Sequence, residues 1–200
     1  MSITEGFSST ADRESQITEQ LRGLSEELRR AVRYDLLLDA ITVPALQQLN
    51  IEAAKERLSP LEITSDYRFL LPRYEKEVDL SPINKALYIF FLNHEEGIEF
   101  KRLSDYRDEL MELYRQVGNR VSDDIIRESI DRLVNPLDNS INEKCARIKS
   151  AFAKCMDSYQ LNYYAISKHS VRQVEGFSRI WYDRRRTITL PRELVVYDGG

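Results

Sequence analysis

Apolar residues recur along the chain with two different periods, and the switches between them mark out the elements. Ile17, Leu21, Leu24, Leu28 and Ala31 are spaced four, three, four and three, the a/d rhythm of a coiled-coil seam, so residues 10–33 read as a helix. Glu14, Glu19, Glu26, Glu27, Arg22, Arg29 and Arg30 fill its other faces. So short a seam suits packing onto the chain's own body as well as a homodimer through Ile17, Leu21, Leu24 and Leu28. A second apolar segment, Tyr34 to Leu49, is interrupted at Pro44. Ser59-Pro60 has the form of an N-cap followed by proline at the first helical position, although the residues from Ile63 turn strand-like.

From residue 66 the period falls to two. Tyr67, Phe69 and Leu71 alternate, Pro72-Arg73 breaks the run, and Val78 and Leu80 alternate again, which predicts a short β-hairpin or two edge strands. Ser81-Pro82 then opens a helix, Ile83 to Leu92, apolar on nearly every side, the pattern of a core helix. Asn93-His94 ends it, Gly97 turns the chain, and Ile98–Phe100 reads as a short strand. Ser104 to Val117 is the next helix, with Gly118-Asn119 as its stop signal. Ser122 caps another, over residues 122–134, with Ile125, Ile126, Ile130 and Leu133 as its buried face. Ser140 and Glu143 have capping-box spacing. The helix they open carries Ile141, Cys145, Ile148 and Phe152 on one apolar stripe. Tyr163–Ile166 and Thr187–Leu190 read as strands on either side of a polar loop of about twenty residues, and Pro191 ends the second. The fold class expected is mainly α with small β-hairpins, α+β.

Composition narrows the function. The chain is 42% hydrophobic and 31% charged, as a folded domain is. Its formal charge is −4, so bulk adhesion to nucleic acid is excluded as the main activity. The charge is unevenly placed. Residues 141–200 hold 11 Lys+Arg and 6 Asp+Glu, or +5, against 18 and 27, or −9, in residues 1–140. A basic end on an acidic body is what an anionic partner requires. Met1–Asp12 is polar and lacks the apolar core of an export signal. No apolar run approaches the ~20 residues of a membrane span, and the two cysteines make no disulfide framework. The expected location is cytoplasmic, with no membrane partner.

The order of elements (strand pair, core helix, short strand, second helix, basic helix, long hairpin) is that of a winged helix-turn-helix domain. The residues resemble most the OmpR/PhoB-type effector domain. Val78-Asp79-Leu80-Ser81-Pro82 corresponds to that family's hairpin end before the core helix. Asn93-His94-Glu95-Glu96-Gly97-Ile98, then Leu103, corresponds to its loop and the leucine opening its second helix. Ile141, Cys145, Ile148 and Phe152 take the apolar places of its recognition helix, with Arg147 and Lys149 in basic places. The resemblance covers residues 66–190 and implies a winged-helix-like domain over 63–200, with a helix inserted near 122–134, behind a helical region 1–62. It implies binding of double-stranded DNA, as a transcriptional regulator or DNA-associated adaptor. The contacts would come from Ser140, Asn142, Lys144, Arg147, Lys149 and Lys154 on the helix, and Arg184, Arg185 and Arg186 on the approach to the wing. The alternative is a protein-interaction or assembly module on the same scaffold.

Enzyme chemistry finds little footing. His94, at a helix end, reads as a cap or dipole partner, and His169 as a loop residue. Cys145 and Cys155 read as packing residues. Asp105, Asp108, Glu109 and Glu112 read as a solvated face paired with Arg107 and Arg115. No phosphate loop, zinc motif or nucleophile elbow occurs, so neither a catalytic residue nor a metal or other cofactor is expected.

Overall fold

The four-three seam folds as predicted into α1 (Thr10–Arg30), which closes on Arg29 and Arg30 at the negative end of the helix dipole. The structure, a computed structural model, describes residues 10–33, 36, 43–168, 171–173, 180–182 and 185–198. Val32 turns left-handed after the helix (φ 56°), and the Arg33 N–H returns to the Leu28 carbonyl at 3.0 Å. Next comes α2 (Val43–Lys55), with Pro44 in its first turn, where the missing N–H leaves no gap. The chain forms two compact units, Met1–Leu46 and Gln47–Gly200. Ala54 and Leu58, assigned above to the N-terminal region, lie fully buried in the core of the second unit.

That core is organised by β1 (Leu61–Ile63), β2 (Phe69–Leu71), β3 (Lys76–Glu77) and α3 (Pro82–Asn93). The hairpin forms with Phe69 and Leu71 facing inward and β2 antiparallel to β3, but its second strand lies at Lys76–Glu77, and the buried Val78 and Leu80, expected in it, follow the strand. Arg68 reaches across to Glu77 with both Nε (3.1 Å) and Nη2 (2.5 Å). In α3 every residue from Ile83 to Leu92 except Lys85 is buried, so the all-round apolar pattern does mark a central helix. Tyr88, at its middle, lies edge-on to Phe69 (5.7 Å between centroids) and beside Phe152 (4.9 Å), and Phe152 stacks on Tyr164 (5.5 Å).

After α3 come β4 (Ile98–Glu99), a 3₁₀ segment over Phe100–Tyr106, α4 (Arg107–Val117), α5 (Asp123–Val134), α6 (Ser140–Ala153) and α7 (Ser158–Tyr164). Then follow β5 (Ser167–Lys168), β6 (Val171–Gln173), β7 (Ile180–Tyr182), β8 (Arg185–Thr187) and β9 (Val195–Tyr197). The described strands lie in three sheets ordered β3-β2-β1-β9, β4-β8-β5 and β6-β7. The molecule is α+β.

Several expectations are corrected. Ser59-Pro60 does not start a helix: Ser59 is fully buried and leads into β1, which takes a parallel partner, β9, that periodicity did not reveal. The helix after β4 begins at Arg107, its expected first turn being 3₁₀. Ile125 is exposed, because Ile126, Ile130, Leu133 and Val134 already fill the buried arc of α5. Tyr163 and Tyr164 are not strand residues. Asp157 accepts from the Gln160 N–H at 2.8 Å in a capping box that opens α7, and the strand begins only at Ser167. Of Thr187–Leu190 only Thr187 is in a strand. The polar stretch between them is no plain loop, since it contains β5, β6, β7 and most of β8.

Two predictions follow from this packing. A Cβ on Gly97 (φ +77°) would lie 2.7 Å from the Arg186 carbonyl oxygen, so Gly97→Ala must both strain the turn and push β8 off β4. It should cost about 1–3 kcal/mol in urea unfolding; an unchanged midpoint would contradict the β4–β8 approach. The second concerns alkali. Burial raises the phenols of Tyr88 and Tyr164 well above their ordinary value, and that of Tyr163 to about 12. Unfolded tyrosines ionise near 10. The stability tied to these groups is therefore complete below about pH 10 and falls as pH rises beyond it, because the unfolded chain releases protons that the folded one keeps. Urea midpoints should hold from pH 8 to 9 and drop by pH 11, less steeply in Tyr88→Phe; a flat wild-type profile would refute the assignment.

Candidate nucleic-acid interface

The apolar stripe of α6 is seated as its spacing demands. Ile141, Ile148 and Phe152 are buried, and Cys145 packs against the same core. Burial pushes the Cys145 thiol up to about 12, with Arg186 acting in the other direction. This makes it a packing residue and a poor nucleophile.

The remaining surface of α6 follows from 100° per residue. Arg147 and Lys154, seven residues apart, share one line along the helix, and Asn142 and Lys149, also seven apart, share another. All four are exposed. Between the two lines, on the side away from the core, lie the exposed small residues Ala146, Ser150 and Ala153. Glu143, also exposed, adds a negative charge at the N-terminal end. Lys144 is half-buried, and that burial first, then the charge of Arg147, lowers its ammonium from the ordinary value. Among the described residues Arg147, Lys149 and Lys154 take part in no ion pair. On neighbouring helices most arginines are paired: Arg107 holds Asp131 (2.7 Å), Arg115 holds Asp123 (3.3 Å) and Arg132 holds Asp138 (3.3 Å), while Arg127 on α5 is in no ion pair among the described residues. The acidic run is the solvated face expected, with Asp108 beside Arg107 and Glu112 beside Arg115 at 3.6 Å each, and the same two arginines also reach Asp131 and Asp123 of α5.

The N-terminus of α6 is not the expected capping box. Ser140 is buried inside the first turn, and the N-cap position is Asn139. The Asp138 carboxylate accepts the Ser140 N–H at 2.8 Å, and the Asn139 side chain accepts from Asn142 at 3.0 Å. A carboxylate thus stands where a phosphate would have met the free N–H groups. Ser140 is removed from the contact surface, and Asn142 reaches it only from the flank. Asp138, Asn139 and Ser140 are all good capping types, so sequence alone had three candidates for one place.

Arg185 and Arg186 lie on β8, the middle strand of the three-stranded sheet, instead of on a loop end. Both are half-buried, and the Arg186 guanidinium sits 5.0 Å above the Phe100 ring. This contact, which joins β8 to the segment after β4, had no signal in the sequence. Arg184 and His169 lie outside the described residues. His94 is a linker between elements: its Nε2 meets the Glu109 carboxylate at 3.0 Å, and its ring packs on Phe90 and Tyr106.

Among the described residues no three His, Cys, Asp or Glu side chains gather as a metal site would need, and no helix is long and apolar enough to cross a membrane. The site's geometry predicts thiol behaviour. At pH 8 Cys155, partly exposed at the end of α6, should react with a maleimide well before Cys145, whose thiolate is suppressed. Equal rates mapped by mass spectrometry would show that the stripe is not seated.

No protein-family model, no curated protein and no solved structure matches this chain.

Proposed function

We propose that the chain binds double-stranded DNA through a winged-helix-like arrangement, with α6 as its contact helix, in the role of a cytoplasmic transcriptional regulator or DNA-associated adaptor. The observation that carries the reading is the surface of α6. Two lines of polar and cationic side chains, Arg147 with Lys154 and Asn142 with Lys149, flank a strip of small residues, and the three cations are not engaged in ion pairs among the described residues. Such a profile lets a helix approach a groove closely while its rims meet phosphates on either side. The element order supports it. A strand before the second helix, β4, and the strands after the contact helix, β5 and β8, form one sheet in the order β4-β8-β5. α5, the helix directly after α4, is a poorer contact helix, since Asp123 and Asp124 open it and would repel phosphate.

The contact set is narrower than the sequence suggested: Arg147, Lys149 and Lys154 lead, Asn142 and Lys144 flank them, and Arg185 and Arg186 brace the sheet behind.

Fluorescence anisotropy with sheared genomic DNA and a mixed-sequence duplex, at two salt concentrations, tests this. Wild type should bind, more weakly at the higher salt. Arg147→Ala, Lys149→Ala and Lys154→Ala should each weaken binding while leaving the fold intact. A lost base contact costs about 1–3 kcal/mol, and a lost phosphate contact lowers the salt slope by about one. Ile148→Asp should instead unfold the unit, since it buries an unpaired charge. If wild type binds no duplex at low salt the reading fails, and the interaction-module alternative takes its place.

A further inference from the structure

We propose that the apolar seam of α1 is a self-association surface, and that its occupant is α1 of a second copy of this chain running antiparallel. Ile17, Leu21 and Leu24 are 48%, 61% and 58% exposed, a row of large aliphatic side chains along one face of a 21-residue helix. Only another apolar surface removes them from water. On each flank of the seam the nearest positions are Thr18 and Ser25, and Gln20 and Glu27, so no ladder of like charges opposes close approach.

The direction follows from the charge along the helix. Residues 10–20 hold one Arg and three Asp or Glu, a net −2. Residues 21–33 hold four Arg and two Glu, a net +2. Parallel pairing sets −2 on −2 and +2 on +2; antiparallel pairing sets each half on its opposite and also opposes the two helix dipoles. One antiparallel register uses all four large seam residues, with Ile17 against Leu28 of the partner subunit and Leu21 against Leu24 of the partner subunit. Its two-fold axis passes between Arg22 and Gly23. Two heptads hold a dimer of modest strength, with dissociation in the micromolar range.

Sedimentation equilibrium on the full chain from 1 to 200 µM should show a reversible dimer. Leu24→Glu, placed twice in the seam, should raise the dissociation constant at least tenfold, with the circular dichroism of the second unit unchanged. Gly23 lies off the seam with no atom within 4 Å of where a Cβ would stand. Gly23→Ala should therefore tighten the dimer several-fold by firming the helix alone. Direction is read with spin labels on Ser15→Cys and, separately, Gly23→Cys, in a Cys155→Ala background. Antiparallel helices place the two Gly23 labels close together and the two Ser15 labels roughly 20–25 Å apart, at 1.5 Å rise per residue. Parallel helices give short distances for both. A monomer at 200 µM overturns the proposal and assigns the seam to packing within one chain, and so does a dimer that survives Leu24→Glu. Equal label distances overturn the antiparallel assignment. None of these outcomes depends on DNA binding, so the two readings fail separately.

Discussion

The second unit depends on a buried run of hydrogen bonds between tyrosines and the backbone around Ser59. Tyr88, in the middle of α3, donates to the Tyr164 carbonyl at 2.9 Å, and the Tyr164 hydroxyl donates to the Ser59 carbonyl at 2.6 Å. The Ser59 N–H reaches the Tyr74 hydroxyl at 3.2 Å, and the Ser59 hydroxyl accepts the Arg73 N–H at 3.0 Å. A buried phenol without a partner would cost about 1–3 kcal/mol. These bonds therefore fix where α3, α7, the lead into β1 and the turn after β2 meet. Phe152 of α6 packs on the rings of both Tyr88 and Tyr164, so α6 is held by the same cluster. The orientation of the basic surface follows from aromatic packing in the core.

Charge is placed differently on different helices of the second unit. Around α4 and α5 three cations are committed, Arg107 to Asp131, Arg115 to Asp123 and Arg132 to Asp138, while Arg120 and Arg127 are in no ion pair among the described residues. Exposed pairs of this kind contribute little to stability, but they neutralise those arginines as ligands for an outside anion. On α6 the cations have no such commitments among the described residues. Part of the positive excess of residues 141–200 is thus carried by α6, where Lys144, Arg147, Lys149 and Lys154 stand against Glu143, on a chain that is acidic overall.

Periodicity determined a good deal. The helix carrying the α1 seam forms as its spacing demands, and the Phe69/Leu71 pair, the largely apolar α3 and the Ile141–Phe152 stripe are buried as theirs demands, because in each the pattern comes from one element's own geometry. The basic residues on α6 were legible for the same reason: positions off the stripe must be outside it. Where the local signals were degenerate, the reading slipped. Ser59-Pro60 has the form of a helix start, yet the burial of Ser59 among Tyr74, Tyr164 and Arg73 turns it into a strand lead. Tyr163-Tyr164-Ala165-Ile166 has strand composition, yet the Asp157–Gln160 capping box upstream keeps it helical through Tyr164.

What only tertiary structure decided involves partners far apart in the chain. β9 closes the first sheet by pairing in parallel with β1, more than 130 residues away, a choice that a three-residue strand cannot announce. Gly97 and Arg186, and Arg186 and Phe100, meet because β4 and β8 share a sheet, which turns part of an expected basic contact patch into a brace. The Asp138 carboxylate takes the N-terminal place on α6 from Ser140, since which of three adjacent capping side chains points at the helix depends on the path in from α5. The sequence by itself determined most of the apolar face that α3, α5 and α6 would bury, Ile125 excepted, since that needs only the period of the element. It could not determine which buried faces meet, since that depends on shape and hydrogen-bond matching across the whole unit.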